Sequence, residues 1–213
     1  MPYIPTQTPT PNLSAPTEPP ISPEVLVIGG LALDTTLTSL SLPQQHTSNP
    51  CKITSTPGGV AHNLHLALHR SGTRSHLLTT LGPDPAAKTL SSLLPPRTFT
   101  ALPSPLSTAQ YIALNTPAGD LHIAGADMNI IAETLLPSAV LPVVRAFPET
   151  QVIIVDANVP VSTLSALIKH TQKSGQKLIF EPTSIAKCVK ILPEKMDAEF
   201  PLLHTITPLQ TDL

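Results

Sequence analysis

The chain has 213 residues, 41% of them hydrophobic and 12% charged, with 12 basic against 14 acidic side chains for a net charge of −2. That length suits one domain of ordinary size with a sizeable core. The near-zero charge excludes a charge-driven binder of nucleic acid or anionic membrane, and 3% aromatics without tryptophan remove the stacking platforms of single-strand binders.

Twenty-six prolines, against a usual share of roughly 5%, predict much loop. Residues 1–23 hold eight of them and a single charge, Glu18. They lack the arginines of a transit peptide and read as a disordered, proline-rich tail outside the fold. The longest apolar run, residues 25–33, is interrupted by Gly29 and Gly30, and is far shorter than the roughly 20 residues a membrane span requires. Cys51 and Cys188 lie far apart, as reduced thiols of an intracellular, cytoplasmic protein would.

From Glu24 onward the pattern changes. Val25-Leu26-Val27-Ile28 is a short apolar run ended by two glycines, as expected of a strand buried on both faces. In residues 58–71, Val60, Leu64, Ala67 and Leu68 form a stripe that predicts a helix stopped by Gly72. A strand is expected at 76–81 and a helix at 85–94, with proline in its first turn. Val152-Ile153-Ile154-Val155, then a helix over 161–174 with Gly175 as C-cap, then Lys177-Leu178-Ile179-Phe180 make a strand, helix, strand unit. His204-Thr205-Ile206 reads as a further strand. This alternation predicts an α/β fold with a mainly parallel sheet and helices on both faces. Residues 37–55 and 108–126 break it with short strand-like pieces and a hairpin turn at 116–120, and predict a small added β-sheet.

Four places carry polar groups at strand ends or helix starts. Asp34 follows Gly29 and Gly30, where a carboxylate either accepts from substrate hydroxyls or caps a turn. Gly58 and Gly59 precede Asn63, so the backbone is open to close approach and an amide stands one turn into the helix. Asp156 and Asn158 end the strand expected at the centre of the sheet, on the same carboxyl edge as Asp34. Glu181 ends another strand, facing a metal or phosphate or serving as a turn residue. His62, His65 and His69 share helical spacing, but with the core stripe elsewhere they are expected on the solvated face. A nicotinamide site is disfavoured, because the glycines lack the G-x-G-x-x-G spacing.

In this order the motifs resemble the ribokinase-like PfkB carbohydrate kinases, over residues 24–213. The resemblance rests on Val27-Ile28-Gly29-Gly30 with Asp34, Pro57-Gly58-Gly59-Val60-Ala61 with Asn63, and Leu81-Gly82-Pro83-Asp84. Ala126-Asp127-Met128-Asn129-Ile130, Asp156-Ala157-Asn158 and Phe180-Glu181-Pro182-Thr183-Ser184-Ile185-Ala186-Lys187 look like the pseudouridine kinase branch in its fungal form. The resemblance implies a three-layer α/β sandwich with a β-sheet lid, and ATP-dependent phosphoryl transfer to a primary hydroxyl of a sugar or nucleoside, with Mg2+. Asp34, Gly58, Gly59, Asn63 and Asn158 fall on substrate positions, and Glu181 and Asp212 on the cofactor side. Pairing of two subunits through the lid is a further implication.

One departure stands out. The family's D-T-x-G-A-G-D segment, with its anion hole and catalytic base, is not found in these 213 residues, and Ala124-Gly125-Ala126-Asp127 in the lid is a decoy. Leu209 replaces the asparagine of a T-P-N-x-x-E segment, and Asp212 stands where its glutamate would be. The expectation is therefore a C-terminally truncated kinase domain, inactive as an isolated chain, with no catalytic or metal residue assigned. The alternative is a non-catalytic sugar-binding or interaction protein, or a truncated gene product.

Overall fold

The computed structural model describes residues 22–191 and 205–206. Most of the proline-rich segment at 1–23, and Asp212, lie outside the described residues; Pro23 is buried, and its carbonyl accepts the Thr150 hydroxyl at 3.0 Å.

The elements run β1 (Val25–Ile28), β2 (Ala32–Ser39), β3 (Cys51–Gly58), α1 (Val60–Arg70), β4 (Ser75–Leu81), α2 (Pro85–Leu93) and β5 (Phe99–Pro103). Next come β6 (Gln110–Asn115), β7 (Leu121–Asp127), α3 (Asn129–Thr134), α4 (Pro137–Arg145) and β8 (Val152–Asp156). They are followed by α5 (Val161–Ser174), β9 (Lys177–Glu181), α6 (Ile185–Cys188), a 3-10 turn (Val189–Ile191) and β10 (Thr205–Ile206).

Six strands form a parallel sheet in the order β10-β9-β8-β1-β4-β5. Alternate side chains of β1 explain the layers, since successive residues of a strand point to opposite faces. Leu26 and Ile28 join α3, α4 and α5 through Ile131, Val140, Val144, Leu164 and Leu167. Val25 and Val27 join α1 and α2 through Ala61, Ala87 and Leu90. The fold is thus a mixed α/β sandwich around a mainly parallel sheet. Each fully buried aliphatic side chain of β1 contributes roughly 1.5–3 kcal/mol. The glycine after α5 takes the left-handed conformation expected of its C-cap, with φ 78° at Gly175.

A second sheet, β3-β2-β6-β7, joins antiparallel and parallel pairings. It begins earlier than residue 37: β2 starts at Ala32, so Asp34 lies within a strand, paired with Thr56 and Tyr111, and caps no turn. The threonine-rich sequence after Asp34 explains the extension, because β-branched residues favour the pleated surface. The turn expected at 116–120 is present, with Thr116 N–H on the Asp120 carbonyl at 2.9 Å.

The histidines of α1 are a correction. His62 is 5% and His65 0% exposed, while Ala67, expected on the core stripe, is exposed. The helix is turned so that Ala61, His62 and His65 face inward. Polar partners make this tolerable: His65 Nδ1 meets the Ser75 hydroxyl at 2.9 Å, and Nε2 meets that of Thr98 at 3.2 Å. Strand β5 and helices α3 and α4 carry no expectation in the sequence reading. Helix α4 contains Pro142, which breaks helical patterns in most contexts. No helix among the described residues is long and apolar enough to cross a membrane.

Candidate functional site

Three chain segments meet at the carboxyl ends of β1 and β8. The first is the Gly29-Gly30 link between the main sheet and the second sheet. Gly29 has φ 150°, and a Cβ there would strike the Asp156 carboxylate. The second is the β3–α1 junction. Gly59 has φ 97° and packs so tightly on the Gly30 carbonyl that a Cβ would collide with it. The third is the turn after β8, carrying Asp156, Ala157 and Asn158.

Asp156 ties the three together. Its fully buried carboxylate accepts from Gly30 N–H (2.9 Å), Ala61 N–H (3.2 Å), Asn158 N–H (2.8 Å) and the Asn158 side-chain amide (3.0 Å). Burial pushes its pKa up, and these donors oppose the shift.

Asp34 is its opposite. It is half-buried, its pKa is raised by burial, and among the described residues its carboxylate accepts no hydrogen bond. It lies against Gly58, where a Cβ would overlap its carboxylate oxygens. In register, Thr56, Asp34, Tyr111 and Ala126 form one row across the second sheet. Gly30 also borders Asn158, whose amide nitrogen would stand 3.2 Å from a Cβ at position 30.

The structure therefore brings Asp34 beside Gly58, Gly59 beside Gly30, and Gly30 beside Asn158. Asn63 is exposed on the first turn of α1, and its Oδ1 meets His62 Nδ1 at 3.1 Å. Glu181 is the lateral partner of Asp156 at the end of β9, and its Oε1 accepts the Thr183 N–H at 3.0 Å, a local turn contact. Among the described residues no three His, Cys, Asp or Glu side chains are grouped to hold a metal ion. A shallow concavity lined by Pro103, Leu106, Glu133 and Thr134 contains none of the candidate residues.

Two lysines belong to this edge, although the sequence reading gave them no role. Lys187 Nζ donates to Asn158 Oδ1 at 2.5 Å, and Lys190 Nζ donates to the carbonyls of Ala157 (2.6 Å) and Val159 (2.9 Å). Thr183, a β-branched residue at φ 64°, accepts the Ala157 N–H on its hydroxyl at 3.1 Å. Left-handed backbone at such a residue is strained and held by its surroundings. Lys187 sits in the strand-end motif already quoted, while Lys190 had no sequence signal.

No family model matches the chain. It is 33% identical over 179 residues to a pseudouridine-metabolizing bifunctional protein of Schizosaccharomyces pombe, covering 79% of this chain and 23% of that protein. It is 26% identical over 190 residues to a pseudouridine kinase of Escherichia coli, covering 86% of this chain and 58% of that one. A solved carbohydrate kinase from Agrobacterium tumefaciens superimposes with a TM-score of 0.71 at 26% identity, over 78% of this chain and 56% of that one. The chain is thus similar to ribokinase-like PfkB carbohydrate kinases over most of its own length. Among such kinases it resembles the pseudouridine kinases. The chain spans a little over half the length of the E. coli kinase and about a quarter of the yeast protein.

Proposed function

We propose that the chain is the ligand-binding portion of an ATP-dependent kinase acting on a nucleoside of the pseudouridine kind, with the sugar hydroxyls taken by Asp34, Gly58, Gly59, Asn63 and Asn158. The observation that carries this reading is the half-buried Asp34 carboxylate, which meets no donor among the described residues and lies against Gly58. A carboxylate in that state is an acceptor for vicinal hydroxyls. Asn158 presents an amide on the adjoining turn, and Asn63 a second one at the head of α1. Gly58 and Gly59 keep the backbone between them bare of side chains.

The second sheet acts as a lid that excludes water from the ligand. A row of Ile53, Leu37, Leu114 and Ile123 runs in register across it, with Ile53 62% and Ile123 63% exposed. That apolar row supports pairing of two lids in a homodimer. The unpaired thiols of Cys51 and Cys188 suit a cytoplasmic setting.

ATP, when bound, supplies the phosphoryl group. Glu181, whose Oε1 accepts the Thr183 N–H, is the described carboxylate that the resemblance places on the nucleotide side, where Mg2+ would be held by one or two carboxylates together with the nucleotide phosphates. The 213 residues also contain no D-T-x-G-A-G-D segment. Since loss of one oxyanion donor costs roughly 10²–10³ in rate, this chain alone transfers phosphoryl groups negligibly. Incubation of the purified chain with ATP and pseudouridine, followed by measurement of ADP, tests this. No turnover is expected; turnover abolished in Asp34→Ala would establish that the chain is catalytically competent by itself.

A further inference from the structure

Two ammonium groups flank the turn that carries Asn158, and among the described residues neither makes an ion pair with a carboxylate. Lys187 reaches the Asn158 amide oxygen, and Lys190 reaches the Ala157 and Val159 carbonyls. Both side chains are half-buried; burial first and the Lys187 charge second lower the pKa of Lys190, and the Asp156 carboxylate opposes them. Arg74 pairs with Glu24 on another part of the surface. The nearby Asp156 carboxylate is fully buried and turned to backbone and amide donors.

Holding two like charges close together in partly desolvated surroundings is unfavourable unless an anion joins them. An ammonium carries three donors. Lys187 therefore keeps donors beyond its bond to Asn158, and Lys190 beyond its two carbonyls.

We propose that Lys187 and Lys190 form an anion subsite beside Asn158 that takes a phosphoryl group, carried either by a sugar phosphate in the Asp34–Asn158 cleft or by a nucleotide reaching it. The subsite deepens the proposed function and rests on it, since it places the phosphoryl group next to the hydroxyl-binding residues. Asn158 then has two tasks: one face toward the ligand, the other aligning the Lys187 ammonium.

The test is titration of the wild-type chain, Lys187→Gln, Lys190→Gln and Lys187→Arg with ribose, ribose 5-phosphate, ATP and inorganic phosphate, followed by NMR. Charge-assisted hydrogen bonds of this kind change affinity by roughly tenfold or more. The wild type is expected to bind ribose 5-phosphate about tenfold more tightly than ribose. That gain is lost in both glutamine variants and kept in Lys187→Arg, while the ribose affinity of Lys190→Gln stays that of the wild type. If ATP rather than ribose 5-phosphate shows the lysine dependence, the subsite stands and its phosphoryl group comes from the nucleotide. If ribose fails to bind but inorganic phosphate binds in a lysine-dependent way, the hydroxyl reading of the cleft fails and the subsite stands. Equal affinity of every phosphate probe for the wild type and both glutamine variants, or an arginine variant as weak as the glutamine one, overturns the subsite.

Discussion

Asn158 gives both its backbone N–H and its side-chain amide to the carboxylate of Asp156, at 2.8 and 3.0 Å. The same carboxylate holds the N–H groups of Gly30 and Ala61, which belong to the other two segments of the site. One fully buried side chain therefore sets the relative position of the β1–β2 link, the start of α1 and the turn after β8. Asp156→Ala would leave buried N–H groups unpaired, each costing about 1–3 kcal/mol. Urea denaturation should show a loss on the order of 3 kcal/mol or more. A loss below about 1 kcal/mol would contradict the organising role given to Asp156.

The two glycines of the β3–α1 junction should respond differently to alanine. At Gly58 the obstacle is the end of a side chain, the Asp34 carboxylate, which can rotate away. At Gly59 the obstacle is the Gly30 backbone, and φ is 97°. The left-handed conformation alone costs a non-glycine residue about 1–2 kcal/mol. Gly58→Ala should thus weaken ligand binding with little change in stability, and Gly59→Ala should destabilise the fold by more than about 2 kcal/mol. Paired urea unfolding and ligand titration would show this; the reverse ranking of stabilities would be incompatible with the packing described.

Acid sensitivity should come from buried imidazoles. Burial lowers His65 and His76 from 6.5 to about 4, with the neighbouring histidines adding to the effect at His65. Thr98 donates to the Pro95 carbonyl, so it accepts from His65 Nε2–H and leaves Nδ1 to accept from Ser75, the neutral form. His76 bonds Thr100 at 2.8 Å and packs on Phe147 with ring centroids 5.0 Å apart. Between about pH 6.5 and 4 the unfolded chain binds protons that the folded chain refuses. The histidine contribution to stability is therefore complete above about 6.5 and falls as the pH drops toward 4, by about 3 kcal/mol per histidine. Asp34 and Asp156, raised by burial, act in the opposite sense. Unfolding midpoints from pH 7 to 4 should fall less steeply in His65→Gln/His76→Gln than in the wild type; parallel profiles would refute the assignment.

The parallel sheet was legible because its strands are short, apolar and β-branched, and because Gly72 and Gly175 end their helices where composition says they should. The histidines of α1 misled for a physical reason. Spacing reports which residues share a face, but Ser75 and Thr98, distant in sequence, decide that the face with His62 and His65 can be buried. Asp34 was recognisable as a carboxylate after paired glycines, yet its place inside β2 depends on pairing with Thr56 and Tyr111. Lys190 was invisible, since its contacts with Ala157 and Val159 span about thirty residues and follow no local pattern.

The role proposed for Asp34 is to receive ligand hydroxyls together with Asn63 and Asn158. Hydroxyl hydrogen bonds contribute roughly 0.5–1.5 kcal/mol each, and more when the acceptor is charged. A few such contacts imply an affinity for pseudouridine of roughly millimolar. Titration of pseudouridine into the wild type and Asp34→Asn, followed by backbone amide NMR, is the most direct measurement. The account predicts shifts at Gly30, Gly59, Asn63 and Asn158 in the wild type, and an affinity about tenfold weaker in Asp34→Asn. Equal affinity in the two proteins, or shifts confined to other surfaces, would contradict it.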